Sequence, residues 1–474
     1  VLKQPLATLI VITSVVVFFL LHIPDFELDA SADSLVLEND ASLKSYRSIR
    51  DQYGSDDFLI VTYSPEQPLF SEAVIADITH LRDELGQLEQ VDNVISMLDV
   101  PLVDSPPMTL AEISRKARTL ESDDVDIELA EQEMRQSPLY ENLLVNSEGD
   151  TTAMQVNLVV NQRLLDLINN RDKLYEKVGT IPDAAQRLEQ LSAQIKKENL
   201  AHKLKLDQTI VDVRRIMDAY RGKATLYLGG VPMITSDSIE FIRSDLKVFG
   251  VGVVLFIVII LAFSFKHIRW VVLPLAVCLT SAMTMMGYLG WSQWPVTVVS
   301  SNFISLLLII TLSLIIHLVV RYRELAMIEP EASQYELVSE TVQSKFTPSF
   351  YTAVTTIVAF GSLLVSGIRP VIDFGWMMVI GITVSFVLAF TLFPAALMLL
   401  PRLDSLAKKD LTGKVTASIA NFIQHRTRAT LMIFALLILI ALTGIPRLSV
   451  ENRFIDYYKE STEIFQGMTL IDTK

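Results

Sequence analysis

His317 sits in the run Asn302–Glu324, NFISLLLIITLSLIIHLVVRYRE. There an imidazole can take up or release a proton near neutral pH. Ionisable groups at membrane depth are expensive and are functional suspects for that reason. Two readings of His317 stand: a proton relay or gate, and a ring hydrogen-bonded to its neighbours at the membrane edge, about one turn from Arg321. Thr311 and Ser313 share the same run. The Ser313 hydroxyl donates and accepts but holds no charge, so it either lines a water wire or joins one helix to the next. Thr352, Thr355 and Thr356 make a second hydroxyl group. Thr352 and Thr356 are four apart and share a helical face, which either meets Ser313 or packs plainly. Arg369 and Asp373 straddle Pro370, as a local ion pair fixing a turn or as an ion site.

Stretches of this kind need a bilayer to position them, since roughly 20 apolar residues span its hydrocarbon core. Seven runs qualify: about Pro5–Ile23, Leu246–Phe265, Trp270–Gly290, Pro295–Val320, Phe350–Ile368, Phe374–Leu400 and Ala429–Ile445. None contains Asp or Glu. Lys266, His267 and Arg269 follow the second run, Arg321, Arg323 and Lys345 the fourth, and Arg402, Lys408, Lys409, Lys414, Arg426 and Arg428 the sixth. Trp291-Ser292-Gln293-Trp294, between the third and fourth, is uncharged and suits an interface belt. By the positive-inside rule the N-terminus is cytoplasmic and the long segment after the first run is outside. The first run has no small-residue cleavage site and reads as a span rather than a signal peptide.

Bulk composition agrees. The chain of 474 residues is 51% hydrophobic and 20% charged, with a mean hydropathy of +0.40. The net charge is -14. Residues 24–245 hold about 41 acids and 22 bases, roughly −19, leaving about +5 elsewhere. An acidic outside domain argues against nucleic acid. Its absence of Asn-x-Ser/Thr sequons favours a bacterial inner membrane over a eukaryotic surface. The single cysteine, Cys278, has no internal disulfide partner. No phosphate loop and no Gly-x-Ser-x-Gly elbow occurs. His80 and His202 have no ligand-spaced partners, so no enzyme activity, metal or cofactor is expected.

The outside segment reads as an α+β domain. Strands are expected at Phe58–Tyr63, Val91–Val100, Thr151–Val160 and Ala224–Leu228, and helices at Ser71–Glu89, Leu110–Arg135 and Ala184–Tyr220. The last of these, with Leu188, Leu191 and Ile195 at helical spacing, is taken as a structural helical hairpin. Two strand–helix–strand units suggest small subdomains of the split βαβ type. The expected fold class is therefore an α-helical membrane bundle of about seven spans with an α+β periplasmic domain of split βαβ subdomains. The domains run 1–23 (first span), 24–245 (outside), 246–400 (five-helix unit), 401–428 (cytoplasmic linker), 429–446 (seventh span) and 447–474 (a second outside domain beginning). The last segment, Ile445-Pro446 and onward, echoes Ile23-Pro24 after the first span. Such duplication is common in transporters, and the chain is expected to be the first half of a longer protein or a shortened form of one.

This layout resembles the resistance–nodulation–division superfamily, and within it the MMPL and Patched-like branch of exporters. The resemblance is carried by Ser137-Pro-Leu-Tyr140 with Asn146 to Met154, by Gly229-Gly230-Val231-Pro232, and by His317 to Glu324. Phe360 to Leu364, Ile368 to Gly375 and Leu392-Phe393-Pro394-Ala395 add to it. It implies a porter-like outside domain, a five-helix unit similar to a sterol-sensing domain, and proton-driven export. In the family a Gly-x-x-x-Asp-Tyr-x-x-His pattern carries coupling. Aligned on His317, its Asp falls on Ser313, its Tyr on Leu314 and its Gly on Ile309, all three departures. The expected function is export of hydrophobic or amphipathic molecules such as lipids. The alternative, favoured by the missing carboxylate, is a lipid-sensing or assembly module. Expected partners are membrane lipids or hydrophobic small molecules, a C-terminal half or a second copy, and a possible periplasmic protein.

Overall fold

The computed structural model describes residues 1–29, 58–107, 118–175, 184–402, 411–448 and 458–473. In chain order it contains α1 (Pro5–Leu20), β1 (Leu28–Asp29), β2 (Phe58–Pro65), α2 (Glu72–Gly86), β3 (Val91–Ile95), α3 (Ile127–Gln136) and β4 (Thr152–Leu158). These are followed by α4 (Gln162–Tyr175), α5 (Ala184–Tyr220), β5 (Ala224–Gly229), α6 (Val231–Phe265), α7 (Arg269–Trp291) and β6 (Val296–Thr297). The rest are α8 (Phe303–Ile328), α9 (Gln334–Gly361), α10 (Arg369–Leu399), α11 (Leu411–His425), α12 (Thr427–Gly444) and α13 (Glu463–Thr473). The chain divides into two units, Val1–Lys44 with Ser238–Val450, and Ser45–Asp237 with Glu451–Lys474.

The first unit holds the apolar helices. Among the described residues seven helices are long and apolar enough to cross a membrane. α7, α8 and α10 pack on one another around buried Val277, Leu308, Ile315, Leu318, Ala389 and Phe393. α1 lies against α7 because two glycines let its backbone in. A Cβ on Gly287 would stand 2.0 Å from the Phe19 carbonyl oxygen, and one on Gly290 2.0 Å from that of His22. Phe18, Phe19, Tyr288 and Trp291 cluster at this crossing with ring centroids 5.2–6.3 Å apart. No α12 residue is buried.

Several boundaries differ from the expectation. The fifth membrane helix begins at Gln334, well before Phe350, because Ser333 and Glu336 form a capping box that starts it early. The fourth is helical to Ile328, past the charged stop. Within 401–428, α11 forms and exposes Ile419, Phe422 and Ile423 at helical spacing.

The second unit is built on a four-stranded sheet of order β3-β4-β2-β5 in which every neighbouring pair is antiparallel. Hence β2 and β3, joined through α2, run parallel with β4 between them. β4 and β5, joined through α4 and α5, run parallel with β2 between them. The two strand–helix–strand units therefore interleave in one sheet, each split by a strand of the other. Alternation on β4 buries Thr152, Met154, Val156 and Leu158, and the last three pack with Leu59, Val61, Ile78, Leu81, Val213 and Met217 in one core.

Residues 184–220 form a single helix, not a hairpin. No Gly or Pro interrupts them, and the hairpin partner is α4, which the sequence reading did not separate. Of the stretch 110–135, residues 110–117 lie outside the described residues and the helix starts at Ile127. Asp126 caps it, accepting from the Glu128 and Leu129 amides at 3.0 and 3.2 Å. Gly230, at φ +112°, ends β5 where a Cβ would meet the Phe58 carbonyl oxygen at 2.6 Å.

Most of the 447–474 segment's start (449–457) is outside the described residues. Its end, α13, packs on edge strand β5 within the second unit. Ile464 is buried in the core, and Gly467 approaches Tyr227 and Leu228. Glu463 accepts from Arg214 Nε (3.0 Å), Arg221 Nη2 (3.3 Å) and the Leu228 amide (3.2 Å).

Candidate functional site

Inside the apolar helices the polar groups that meet one another are hydroxyls. Ser281 on α7, Thr311 on α8 and Ser385 on α10 are all fully buried. Ser281 Oγ and Ser385 Oγ are 2.6 Å apart. Thr311 Oγ1 lies 2.8 Å from Ser385 Oγ and 2.6 Å from the Leu307 carbonyl oxygen. Thr311 is the donor, sharing its proton between the Leu307 carbonyl and Ser385, while either of Ser281 and Ser385 can donate to the other. The reason the helices come this close is one turn earlier on each. Gly381 on α10 faces Leu307 on α8, and a Cβ there would stand 3.0 Å from Leu307 Cδ1. Cys278, one turn before Ser281, brings its thiol 3.8 Å from the Leu308 carbonyl oxygen. Three helices are thus pinned at one depth by a chain of neutral hydrogen bonds.

The residues expected from sequence distribute around this cluster. Thr311 belongs to it. Ser313 and His317 do not: both are exposed on the opposite side of α8, in line with Ile309 and Val320. Thr352, Thr355 and Thr356 on α9 turn their hydroxyls back onto their own helix. They donate to the carbonyls of Pro348 (3.0 Å), Thr352 (2.9 Å) and Thr352 (2.7 Å). Thr352 and Thr355 are exposed, and among the described residues no hydrogen bond joins this group to Ser313. Arg369 Nε and Asp373 Oδ2 stand 3.7 Å apart at the start of α10, an ion pair one turn long.

Ser281 and Ser385 were missed. A signal for Ser385 was present: Gly381, Ser385 and Ala389 form a small-x-x-x-small row, the pattern that lets membrane helices approach. Ser281 has no comparable signature, since its neighbours four residues away are Val277 and Met285.

In the second unit, the loop after α3 is organised by Asn146. Its Oδ1 accepts from the Asp150 and Thr151 amides at 3.0 Å each, and its Nδ2 donates to Asp150 at 2.8 Å. Gly149 at φ +73° makes the turn. Beside this loop lies a hollow of about 220 Å³, lined among others by Ile60, Thr62, Leu143, Thr152 and Leu470. The lining holds no charged side chain, and Leu143 is exposed.

A family model described as "MMPL family" matches residues 189–430, just over half of the chain. No curated protein matches the chain.

Proposed function

The chain belongs to the MMPL family, and from that premise we propose that it is a transporter of hydrophobic or amphipathic molecules such as lipids. That it is a multi-pass membrane protein rests on seven apolar helices together with the family match. The observation that carries the transport reading is this family membership. The uncharged hollow beside Leu143 supports it, because it suits capture of an uncharged alkyl portion. The reading assigns movement of a molecule and no covalent chemistry.

In this proposal the second unit is periplasmic, the N-terminus is cytoplasmic and the membrane is the bacterial inner membrane, as the basic connections suggest. Ser313 and His317 would then work on a face of α8 that another membrane segment covers, a second half or a second copy. Polar side chains facing lipid tails are unfavourable, whereas facing a protein partner they find hydrogen bonds. A proton route in this chain would use His317 and hydroxyls, since no apolar run carries a carboxylate.

A second reading, favoured by that missing carboxylate, is a lipid-sensing or assembly module. Reconstitution separates the two. Liposomes holding the protein and a fluorescent phospholipid are expected to move it across the bilayer faster than protein-free liposomes. Movement no faster than in protein-free liposomes, with and without a proton gradient, overturns the transport reading. Movement indifferent to the gradient overturns proton coupling alone.

A further inference from the structure

At the end of the bundle where α7 begins and α10 ends, two arginines carry charges that no carboxylate answers among the described residues. Arg269 donates through Nη1 to the Pro401 carbonyl oxygen (2.5 Å) and through Nη2 to that of Leu397 (3.5 Å). Arg402, next to Pro401, donates through Nη1 to the Ala332 carbonyl oxygen (2.5 Å) and through Nη2 to that of Glu329 (3.5 Å). The Nε of each is buried without a partner. Among the described residues neither guanidinium forms an ion pair, whereas Arg321 on α8 pairs with Glu324 (2.9 Å) and Glu340 (3.6 Å).

The Arg269 side chain is held in place from behind. The Arg269 guanidinium lies 5.4 Å from the Trp270 ring centroid, and the Trp270 and Tyr322 rings meet at a tilt with centroids 5.5 Å apart. Tyr322 donates to Gln334 Oε1 (2.6 Å), and Gln334 Nε2 donates to the same Leu397 carbonyl (2.8 Å) that Arg269 uses.

A guanidinium has five N–H donors, and backbone carbonyls answer only two of them here with partial charges. Arg269 reaches the carbonyl of Pro401, the residue next to Arg402, and two half-buried cations brought to one stretch of chain repel unless an anion screens them. The ligand that matches a pair of planar forks is a phosphate, whose oxygens accept two parallel N–H bonds. The depth is right for one. Trp270 opens α7 and Tyr322 lies just past the apolar stretch of α8, the level at which phospholipid headgroups meet helices, and basic pockets there hold anionic lipids. We propose that Arg269 and Arg402 form a binding site for a phosphate group, of the kind carried by an anionic phospholipid headgroup. The site is independent of whether the chain transports anything.

The test uses the full chain in nanodiscs of phosphatidylcholine with phosphatidylglycerol added, and native mass spectrometry to read retained phosphatidylglycerol. R269Q/R402Q is expected to weaken retention about tenfold or more, the size of one lost charge-assisted hydrogen bond. K408Q/K409Q removes the same charge and is expected to leave retention within about twofold, as for diffuse attraction. Equal retention by wild type and R269Q/R402Q of unchanged helicity overturns the proposal and leaves the arginines as caps of helix ends. Should R269Q/R402Q not fold, R269K/R402K keeps charge without the fork. It is expected to weaken retention, and wild-type retention by it overturns the proposal. A headgroup-photoreactive phosphatidic acid on wild type should label peptides containing Arg269 or Arg402, and labelling confined elsewhere overturns the site. Displacement of phosphatidylglycerol by inorganic phosphate supports the site with a soluble source, and no displacement supports the lipid source.

Discussion

Ser385→Ala tests the hydroxyl cluster most directly, because Ser385 is the hub of it. The substitution removes the 2.6 Å contact with Ser281 and the 2.8 Å contact with Thr311. An interhelical side-chain hydrogen bond in a membrane averages about 0.6 kcal/mol, so two amount to about 1.2 kcal/mol. Ser281, fully buried, is left with an unpaired hydroxyl, which adds about 1 kcal/mol. The expected loss is roughly 2 kcal/mol, about a thirtyfold shift in the folding equilibrium. Thr311→Val breaks one of the two bonds and leaves Ser281 and Ser385 paired, so roughly half of that loss is expected. Ser313→Ala is the control: its side chain is exposed on α8 and the change is expected to shift stability by less than about 0.5 kcal/mol. Equilibrium unfolding in mixed micelles, monitored by far-ultraviolet circular dichroism, reads all three. If Ser385→Ala and Ser313→Ala are indistinguishable, the cluster does not pin the helices.

Three other perturbations address separate parts of the fold. Glu463→Gln keeps the shape but weakens two bonds from arginines. At about 1 kcal/mol each, amide hydrogen exchange in residues 463–473 is expected to quicken roughly thirtyfold. Unchanged protection there would show that Glu463 does not hold α13 down. The Tyr63 hydroxyl is buried without a partner, so Tyr63→Phe is expected to stabilise the second unit by about 1 kcal/mol. Burial, followed by Asp77 and Tyr220, raises the Tyr63 pKa from 10.0 to about 12. Its neutral form is the one the fold favours, so wild-type stability is complete below pH 10.0 and falls as pH rises to about 12. A Phe variant with the same alkaline melt as wild type would rule this out. Gly287→Ala drives a methyl group into the Phe19 carbonyl and is expected to cost about 3 kcal/mol. Gly361→Ala, at a helical site with nothing within 4 Å, is expected to be neutral or slightly stabilising, and similar melting temperatures for both would refute the glycine-mediated docking of α1.

Much of the architecture was legible because one physical rule dominates each part. Apolar length marked the seven membrane helices, since a bilayer forces about 20 apolar residues in a row. Alternation marked β4, whose Thr152, Met154, Val156 and Leu158 face one core. Order in the sheet was not legible: nothing local in Phe58–Pro65 states that β2 lies between β4 and β5. That depends on which edges the helices leave open. The polar residues of α8 illustrate the same limit. Spacing alone places Thr311 and Ser313 two apart and so on different sides, but only packing decides which side is inside. The Gly381 and Leu307 contact turned Thr311 inward, and Ser313 and His317 outward. A single Ser such as Ser281 among apolar residues carries no sign of its partners until α10 is brought beside it.

The return of α13 to the second unit sets a timetable for making the protein. β5 is an edge strand, and the Leu228 amide waits for Glu463, 235 residues further along the chain. At roughly 5–20 residues per second of synthesis, that wait is on the order of ten seconds or longer. Throughout it, the unpaired rim of β5 stands open, and an uncovered strand rim is a template for pairing with other chains. Six apolar helices, α6 to α10 and α12, are made in that interval. A chaperone that shields sheet rims would find its client here during synthesis, before residues 463–473 have emerged, and not afterwards.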